Sequence, residues 1–379
     1  FGFPVDLTND IARERDLELD VEGYEAAMLA QRKRSQESGA FQVDYHNIIT
    51  AEGETEFLGY TAAEAAATIR GLFVDGRLIE RVSEGDDVVV ILDQTPFYGE
   101  SGGQVGDTGY LRTDSAKLEV RDTTKAQGHH LHHAVVVQGS IEVGASVSAT
   151  IDESLRARIK ANHSATHLMH EALRRVLGEH VQQKGSLVDA DKLRFDFSHT
   201  QSLSADELSR VTQLVNEQIR HNSEVLTQEM EMDAAIEAGA TALFGEKYGD
   251  AVRVLTMGSE RFSVELCGGT HVARTGDIGV FRILNESGVA AGVRRIEAVT
   301  GIGALSDIAK VDKVVADICD VVKSSAENAA DKVTSLRVEV RELEKQITQL
   351  KQKLATGAGA DLTSEAVDVM GFKVLGTVV

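Results

Sequence analysis

Two short segments of this sequence carry side chains that bind metal ions. His163 and His167 stand four residues apart, and Cys267 and His271 repeat that spacing in a distant segment. Two imidazoles from a helix, with a thiolate and a third imidazole from a loop, make a tetrahedral set suited to Zn2+. Two glycines directly after the cysteine let that loop fold tightly around an ion. We therefore predict a zinc site here; the competing interpretation is a core cysteine with surface histidines.

The chemistry of such a site depends on whether the ion keeps a free coordination position. The residue after His163 is Ser164, so the set lacks the glutamate that acts as general base in HExxH metalloproteases. Four protein ligands are typical of a closed structural site. A catalytic role requires a loose ligand or an expanded coordination number. The ion could then orient a substrate or lower the pKa of bound water to roughly 7. The residues alone leave both roles open.

A helix must position the histidine pair. Apolar residues recur at helical spacing from about residue 152 to about residue 178, and His163, His167 and His170 fall together on another face. Ser204, with Glu207 at the box position, caps a second amphipathic helix. A further helical piece is predicted over Met232–Ala238. Five strands are predicted over Leu193–His199, Ala251–Met257, Phe262–Leu266, Ile278–Leu284 and Val293–Val299. Helices on a mainly antiparallel sheet predict an α+β domain over residues 151–303.

Residues 41–150 show a different pattern, with short strands between turns that carry Gly and Asp. Their regular spacing predicts a small β-barrel. Between two strands, residues 95–109 contain five glycines, which permit close backbone approach; a long hairpin turn is the alternative. Four histidines fall within residues 129–133. We interpret them as part of an exposed hairpin rather than a metal site, because no second ligand cluster lies near them in sequence.

The two ends of the chain differ from this middle part. Residues 1–40 are rich in helix formers and carry a basic run, Arg32–Arg34, interpreted as a solvated helix end or a phosphate contact. Residues 304–357 form a heptad array, with a weak alanine layer after Ser325 that allows either a coiled coil between chains or a helical hairpin. The apolar heptad positions are Val315, Cys319, Val322, Ala326, Ala329, Val333, Leu336, Val340, Leu343, Ile347, Leu350 and Leu354. Gly357 is predicted to end the helix, and residues 358–379 to form a hairpin that starts a truncated domain.

Composition limits the classes of protein. The chain has 379 residues, enough for two or three domains, and no apolar run approaches the ~20 residues of a membrane span. The net charge of −21 argues against a general phosphate-binding surface, although local Lys and Arg clusters can still meet RNA. The two cysteines fit a reducing cytoplasm. The sequence begins without Met, basic n-region or apolar h-region, so we expect a piece of a longer protein without a signal peptide.

Together these motifs resemble the editing and C-terminal portion of the alanyl-tRNA synthetases. The resemblance covers nearly the whole chain in the family's order, through FGFPVDLT, TPFYGESGGQVGDTG, HSATH, HVQQKGSLV, RFDFSH, ELCGGTHVARTGDIGVF and GVRRIEAVTG. It implies the helical end of a tRNA-binding region, a small β-barrel, a zinc-containing α+β editing domain and then heptad helices. The family's ATP-dependent alanine-ligating core is expected to be missing from this chain.

The function that the resemblance implies is deacylation of mischarged tRNA(Ala), chiefly seryl- and glycyl-tRNA(Ala). A pocket for alanine cannot strongly reject the slightly larger Ser or the smaller Gly, so a second, hydrolytic site is needed. In this correspondence the four metal-competent residues hold zinc. Gln183 matches a family residue important for editing, and Gly102 and Gly103 shape the pocket near the aminoacyl group.

Two further roles are predicted, one for an arginine pair and one for the heptads. Arg294 and Arg295 are candidates for contact with tRNA phosphate, and an ion pair to Glu297 is the structural alternative. The heptads predict a homodimer or an internal hairpin. The alternative to an editing enzyme is a tRNA-binding and dimerisation module in which the zinc is purely structural.

Overall fold

Alternating apolar and polar residues build a barrel from the first long stretch of the described chain. The computed structural model describes Gly23 and residues 53–241, 251–364 and 366–375, without the side chains of 356–364. The predicted N-terminal helix and Arg32–Arg34 lie outside these residues, Gly23 apart. The strands of the barrel region are β1 Glu56–Phe57, β2 Glu64–Val74, β3 Arg77–Ile79, β4 Arg81–Ser83, β5 Asp87–Leu92, β6 Gln94–Thr95, β7 Gly109–Arg112, β8 Lys117–Ala126, β9 His129–Gln138, β10 Ser140–Glu142 and β11 Ser146–Ile151.

Six of these strands form a closed wall. Strand β2 pairs with both β5 and β11, so the order β11–β7–β8–β9–β5–β2 returns to β11, and β3 extends β2 as an edge. Buried and more exposed positions alternate along β11, as expected for a wall with one inward face. Val90, Leu111 and Leu118 are among the inward residues that fill the barrel. The predicted small barrel is confirmed.

The histidine-rich segment does not form the exposed hairpin that we predicted. Gln127 and Gly128 make a tight turn with positive φ at both positions, but His129, His130 and His132 behind it are buried. The reason is that β9 is an inner strand between β8 and β5, and its first four residues are all covered.

Helices and two antiparallel sheets follow the barrel, as predicted for an α+β domain. The elements are α1 Glu153–Leu177, β12 Gln183–Val188, β13 Leu193–Ser198, α2 Ala205–His221, β14 Leu226–Glu231, α3 Met232–Glu237, β15 Ala251–Met257, β16 Ser263–Leu266, β17 Phe281–Ala290 and β18 Val293–Thr300. One sheet has the order β12–β13–β18–β17 and the other β14–β15–β16. Leu168 of α1, Val211 of α2, and Phe195 and Ile296 of the first sheet share one fully buried core. This core fixes α1, and hence the histidine pair, against the sheet.

Local sequence explains where these helices begin. The Asp152 side chain accepts hydrogen bonds from the backbone N–H groups of Ser154 and Leu155 at the start of α1. The predicted capping box of Ser204 and Glu207 is present at the start of α2. By contrast, the strand expected from residue 278 begins only at residue 281, because a short 3-10 helix occupies residues 275–278 and a glycine with φ 79° follows it.

The heptad region forms two helices, and residues 306–379 make up a compact unit of their own. Helix α4 spans Gly301–Val322 and helix α5 spans Ala329–Ser364, so the helix is interrupted at the predicted weak layer. The predicted end at Gly357 is wrong, because α5 runs through it. Glycine lowers helix stability by about 1 kcal/mol relative to alanine but keeps its backbone donor. Two short strands, β19 Val367–Val369 and β20 Phe372–Val374, pair as the predicted hairpin.

The apolar heptad side chains of α5 are exposed. Seven of them are at least 36% accessible, which means that α4 does not fold back to cover this face. We call these residues the α5 seam: Val333, Leu336, Val340, Leu343, Ile347, Leu350 and Leu354. None of the described helices is both long and apolar enough to span a membrane.

Candidate metal centre and adjoining cleft

The fold brings the two distant halves of the predicted metal set together. His163 and His167 project from successive turns of α1, and Cys267 and His271 lie in the loop that follows β16. The candidate ligand atoms of the four residues lie within 4.8 Å of one another. The Cys267 sulfur is 3.6 Å from His163 Nε2 and 3.3 Å from His271 Nε2. Tetrahedral zinc separates such atoms by roughly 3.3–3.8 Å, so the set fits the ion with little adjustment.

In each histidine of the metal set, the Nδ1 atom lies close to an oxygen atom of another side chain. The Nδ1 atoms of His163 and His167 lie 2.8 Å from Gln104 Oε1 and 2.5 Å from Glu265 Oε2. His271 Nδ1 lies 3.3 Å from the Ser164 hydroxyl. The buried Nε2 of His167 has no hydrogen-bond partner among the described residues. Histidine ligands usually bind metal through one nitrogen while an oxygen orients the other, and this arrangement has that form.

The electrostatics of the centre favour a cation. Burial alone raises the pKa of the Cys267 thiol, but His163, His271 and His167 outweigh it and bring that pKa well below its usual value. Burial also raises the pKa of Glu265, yet its contacts with His170 and His167 hold that pKa at about 2. The Cys267 thiolate and three imidazoles therefore form a donor set suited to a divalent ion, and the Glu265 carboxylate adds negative charge behind it.

The glycine-rich segment is a loop docked on the metal centre and not the long hairpin turn of the alternative interpretation. Gly103 (φ 83°) passes so close to β12 that a Cβ there would lie 2.5 Å from the Ser186 carbonyl oxygen. The next residue, Gln104, is fully buried, and besides meeting His163 it accepts from the Thr270 backbone N–H at 2.9 Å. Its amide also donates to the Thr270 hydroxyl at 2.9 Å. One barrel side chain thus contacts both halves of the metal set.

A buried ion pair anchors this loop to α1. Arg156 Nε donates to Asp107 Oδ1 at 2.8 Å, and both side chains are at most 4% accessible. The guanidinium also donates to the carbonyl oxygens of Gly59 and Pro96, and Asp107 accepts from the Tyr98 backbone N–H. With every group paired, the network fixes the loop that carries Gln104.

The loop that carries Cys267 is clamped by two further side chains. Arg253 donates to the carbonyl oxygens of Cys267 and Gly269 at 3.0 and 2.9 Å. Tyr60 donates to the Gly268 carbonyl oxygen at 2.6 Å and lies under the Arg253 guanidinium, 4.2 Å from carbon to ring centre. A Cβ at Gly269 would lie 2.2 Å from the His163 ring, so a larger residue there would displace a candidate ligand.

A cleft of about 170 Å³ opens directly beside the metal set. His163, His167 and Cys267 form one side of it, and Gly102 and Gln183 line it as well. Ser101, Thr166, Ser186 and Lys125 add hydroxyl and ammonium groups to the lining. Gly103 lies just behind Ser186. The structure therefore brings the sequence-predicted residues of the barrel loop and of β12 to the candidate ligands.

The arginine pair on β18 lies outside that cleft lining. Arg294 pairs with Glu286 at 2.5 Å and Arg295 with Asp196 at 2.6 Å. Glu297, the partner named in the structural alternative, instead pairs with Lys192 at 2.6 Å, so the partner in that alternative is wrong. The strand register explains why Arg295 pairs with Asp196, because these two residues lie opposite each other in the ladder between β13 and β18.

Several site residues were missed from the sequence. Gln104 and Glu265 each stand close to a recognisable motif, yet a single Gln or Glu there carries no spacing signal. Tyr60, Arg253 and Lys125 lie far from both motifs and meet the site only through the fold. The adjacent motifs GGQ and ELCGGTH are the signals that could have identified the first two.

Comparison with known proteins matches two parts of the chain to described families. Residues 1–155 match the family described as tRNA synthetases class II (A). Residues 252–297, which include the cysteine loop, match the threonyl and alanyl tRNA synthetase second additional domain. Barrel, metal set and matches together define a part of a class II aminoacyl-tRNA synthetase that carries an editing-type domain.

The particular family follows from individual relatives. The chain is 54% identical over 375 residues to an alanine–tRNA ligase of Saccharophagus degradans, a match that covers 99% of this chain and 43% of that protein. It is 52% identical over 377 residues to the alanine–tRNA ligase of Pseudomonas syringae pv. syringae, covering 100% of this chain and 43% of the relative. The chain belongs to the alanyl-tRNA synthetase family and spans less than half the length of these relatives.

Proposed function

We propose that this chain hydrolyses the ester that joins a wrongly attached serine or glycine to the terminal ribose of tRNA(Ala). The observation that carries the proposal is the cleft, in which Gly102 and Gln183 face three members of the metal set. The size of the cleft, about 170 Å³, suits a small aminoacyl group rather than a large side chain. Zn2+ held by the four ligands would supply a Lewis-acid centre for the substrate.

The other cleft residues either leave room for the substrate or offer hydrogen-bonding groups to it. Gly102 lines the cleft without a side chain, which leaves room for the aminoacyl group. Thr166 donates its hydroxyl hydrogen to the Asn162 carbonyl oxygen at 2.9 Å, so its oxygen can accept a hydrogen bond from the substrate. The amide of Gln183 offers both a donor and an acceptor and would orient the attacking water or the ribose hydroxyl.

The same polarity provides a basis for rejecting alanine. A site built to hydrogen-bond a hydroxyl group binds an analogue without that group poorly, because its own polar groups are then left unpaired. Ser101, Thr166 and Ser186 present such groups to the seryl side chain. Correctly charged Ala-tRNA(Ala) places an apolar methyl group against these polar groups, and we therefore expect it to be hydrolysed slowly. Glycine has no side chain, so a water molecule can occupy that space and pair with the same groups.

Deacylation measured with defined substrates tests the proposal. We expect zinc-replete protein to release serine from Ser-tRNA(Ala) and glycine from Gly-tRNA(Ala) while leaving Ala-tRNA(Ala) largely intact. Cys267→Ala should abolish this activity while the circular dichroism spectrum shows retained fold. If Cys267→Ala unfolds the protein, the zinc is structural. Folded, zinc-replete protein that leaves Ser-tRNA(Ala) intact at micromolar concentration would refute the proposal.

The exposed α5 seam favours a second candidate function, which is assembly. Apolar residues at heptad positions bury their side chains when two such helices pair, and here they remain at least 36% accessible in the single chain. We propose that α5 pairs with α5 of a second copy and so presents two editing units to tRNA(Ala). This function is compatible with deacylation and has its own test.

A further inference from the structure

The cleft beside the metal set, here called the zinc-side cleft, shares one lining residue with a second cavity at the barrel surface. An open cavity of about 350 Å³ lies at the turn between β8 and β9, lined by residues 125–130. Lys125 lines both this cavity and the cleft beside the metal set. A ligand that reaches from one recess to the other therefore passes Lys125.

The charge of the residues that line the two recesses differs from the negative charge of the whole chain. The chain carries 60 Asp and Glu residues against 39 Lys and Arg, yet the described residues that line the two recesses include no carboxylate. Lys125 is the one Lys or Arg among these lining residues. In the described part of the chain, no carboxylate lies within ion-pair distance of its ammonium group. Such a cation suits an anionic ligand better than a structural role.

Aromatic rings surround the same ammonium group. Lys125 Nζ lies 5.0 Å from the centre of the Tyr98 ring and 6.0 Å from that of Phe57. Phe57 in turn contacts Tyr60 and His130, with ring centres 4.9 and 5.4 Å apart. A cation set among rings is the combination that binds single-stranded nucleic acid, since the cation meets phosphate and the rings meet bases.

Two histidines of the second cavity have a ring nitrogen without a hydrogen-bond partner among the described residues. His129 and His130 are 4% and 5% accessible, and neither Nδ1 atom has a hydrogen-bond partner among the described residues. Buried ring nitrogens are normally paired, and an unpaired one calls for an explanation. Burial lowers the pKa of His130 to about 3, so this ring is neutral and offers a polar surface without charge.

We infer that Lys125 and the cavity at the β8–β9 turn bind the single-stranded 3′ end of an RNA whose terminal ester lies in the zinc-side cleft. Lys125 holds the last phosphodiester, and the cavity lined by residues 125–130 takes the adjoining sugar and base. This inference rests on the proposed function, because that function places the ester in the cleft. It adds a location and a chemical basis for holding the strand.

Two substitutions with a matched control test the inference. Lys125→Met keeps the aliphatic stem over the rings but removes the charge, and Lys125→Arg restores the charge. Lys117→Met is the control, because Lys117 lies on the same strand with its ammonium 4.1 Å from the Tyr110 ring centre but lines neither recess. The probe is an uncharged RNA hairpin with the tRNA(Ala) acceptor stem and its single-stranded 3′ end.

We expect Lys125→Met to raise the Kd for this hairpin about tenfold and to reduce the slope of log Kd against log salt by about one. Lys125→Arg should restore most of the affinity, and Lys117→Met should resemble the wild type. In deacylation of Ser-tRNA(Ala), Lys125→Met should raise KM with little change in kcat, as expected for a binding contact.

A neutral methylphosphonate at the last linkage of the hairpin locates the contact. The wild type should lose affinity for this RNA, whereas Lys125→Met should bind both RNAs equally, since the interaction is already absent. Equal losses in both proteins, or equal effects of the Lys125→Met and Lys117→Met changes, would overturn the inference. A wild type that binds the hairpin but does not deacylate Ser-tRNA(Ala) refutes the proposed function instead.

Discussion

His163 Nδ1 lies 2.8 Å from Gln104 Oε1, although one residue belongs to a helix and the other to the glycine-rich loop of the barrel. Gln104 also bonds Thr270 through both atoms of its amide, so it touches the helix and the cysteine loop at once. This side chain is fully buried, so its hydrogen bonds to His163 and Thr270 are shielded from solvent. The barrel therefore contributes a side chain that orients a residue of the candidate metal centre.

Gln104 offers the first prediction. Gln104→Leu should weaken zinc binding by about 10- to 100-fold, because His163 loses the oxygen that orients its ring and Thr270 is left with an unpaired buried N–H. Gln104→Glu should retain most of the affinity, since a carboxylate still accepts from both groups. Competition with a fluorescent chelator measures the affinity directly.

The control for Gln104 is another glutamine of the barrel. The Gln94 amide donates to the Ala66 carbonyl oxygen at 2.6 Å, away from the metal set. Gln94→Leu should leave zinc affinity unchanged. If Gln104→Leu binds zinc as tightly as Gln94→Leu, the contact with His163 has no role in holding the ion.

Glu265 makes the corresponding contact on the other helical ligand. Its two oxygens accept from Nδ1 of His167 at 2.5 Å and of His170 at 2.9 Å. Glu265→Gln keeps the size but offers one acceptor oxygen where two are needed, so zinc affinity should fall by about 10- to 100-fold. Glu286→Gln, which removes a carboxylate paired with Arg294 elsewhere, should not affect zinc. Equal affinity in the two variants would contradict this assignment.

The four residues of the metal set could be predicted from the sequence, but the contacts that orient them could not. The spacing of His163 with His167, and of Cys267 with His271, is a local property that survives folding, so the metal set could be predicted. The contact of Glu265 with two histidines about a hundred residues earlier depends on how a sheet packs against a helix. No periodicity in the chain encodes that packing, and the sequence therefore predicted ligands without the groups that orient them.

The barrel illustrates the same division. Short strands between turns predicted a barrel because alternation and turn residues are local. The burial of His132 was not predictable, since it depends on β9 becoming an inner strand between two partners that lie apart in sequence. For helix α5 the local signal was misleading: the sequence predicted an end at Gly357, but a single glycine is too weak to end a long helix.

The buried pair of Arg156 and Asp107 gives a prediction about stability. Arg156→Met leaves the Asp107 carboxylate buried without its cation and should lower the free energy of unfolding by about 3–5 kcal/mol. Urea denaturation at neutral pH measures this loss. Arg158→Met, which breaks an exposed pair with Asp191, should cost at most about 1 kcal/mol. Similar losses in both variants would show that the buried network does not anchor the loop.

The α5 seam predicts self-association. Sedimentation equilibrium should find the whole chain as a dimer at micromolar concentration, because pairing buries apolar heptad residues. Leu343→Asp with Leu350→Asp should convert it to a monomer, since each places a charge in the seam. Glu342→Lys, on an adjacent exposed position, should leave the dimer intact. A monomeric wild type at these concentrations would exclude assembly through α5.

His132 predicts how stability depends on pH. Its Nδ1 lies 2.9 Å from the Val90 carbonyl oxygen and its Nε2 lies 2.7 Å from the Thr95 hydroxyl, so the neutral ring donates to one group and accepts from the other. Burial lowers its pKa to about 4 from the ordinary value of 6.5. Between these values the unfolded chain binds a proton that the folded chain does not. The contribution of His132 is therefore complete above pH 6.5 and is lost as the pH falls towards 4.

His132→Gln should reveal this contribution as a difference in slope. The wild type should lose up to about 1.4 kcal/mol of unfolding free energy per pH unit through His132 as the pH falls from 6.5 towards 4. The variant should start less stable at pH 7.5, because it loses packing and hydrogen bonds, but its stability should fall less steeply. His221→Gln, at an exposed position on α2, should keep the wild-type slope. Parallel slopes for His132→Gln and wild type would mean that His132 is protonated in the folded barrel, and its hydrogen bonds would then need reassignment.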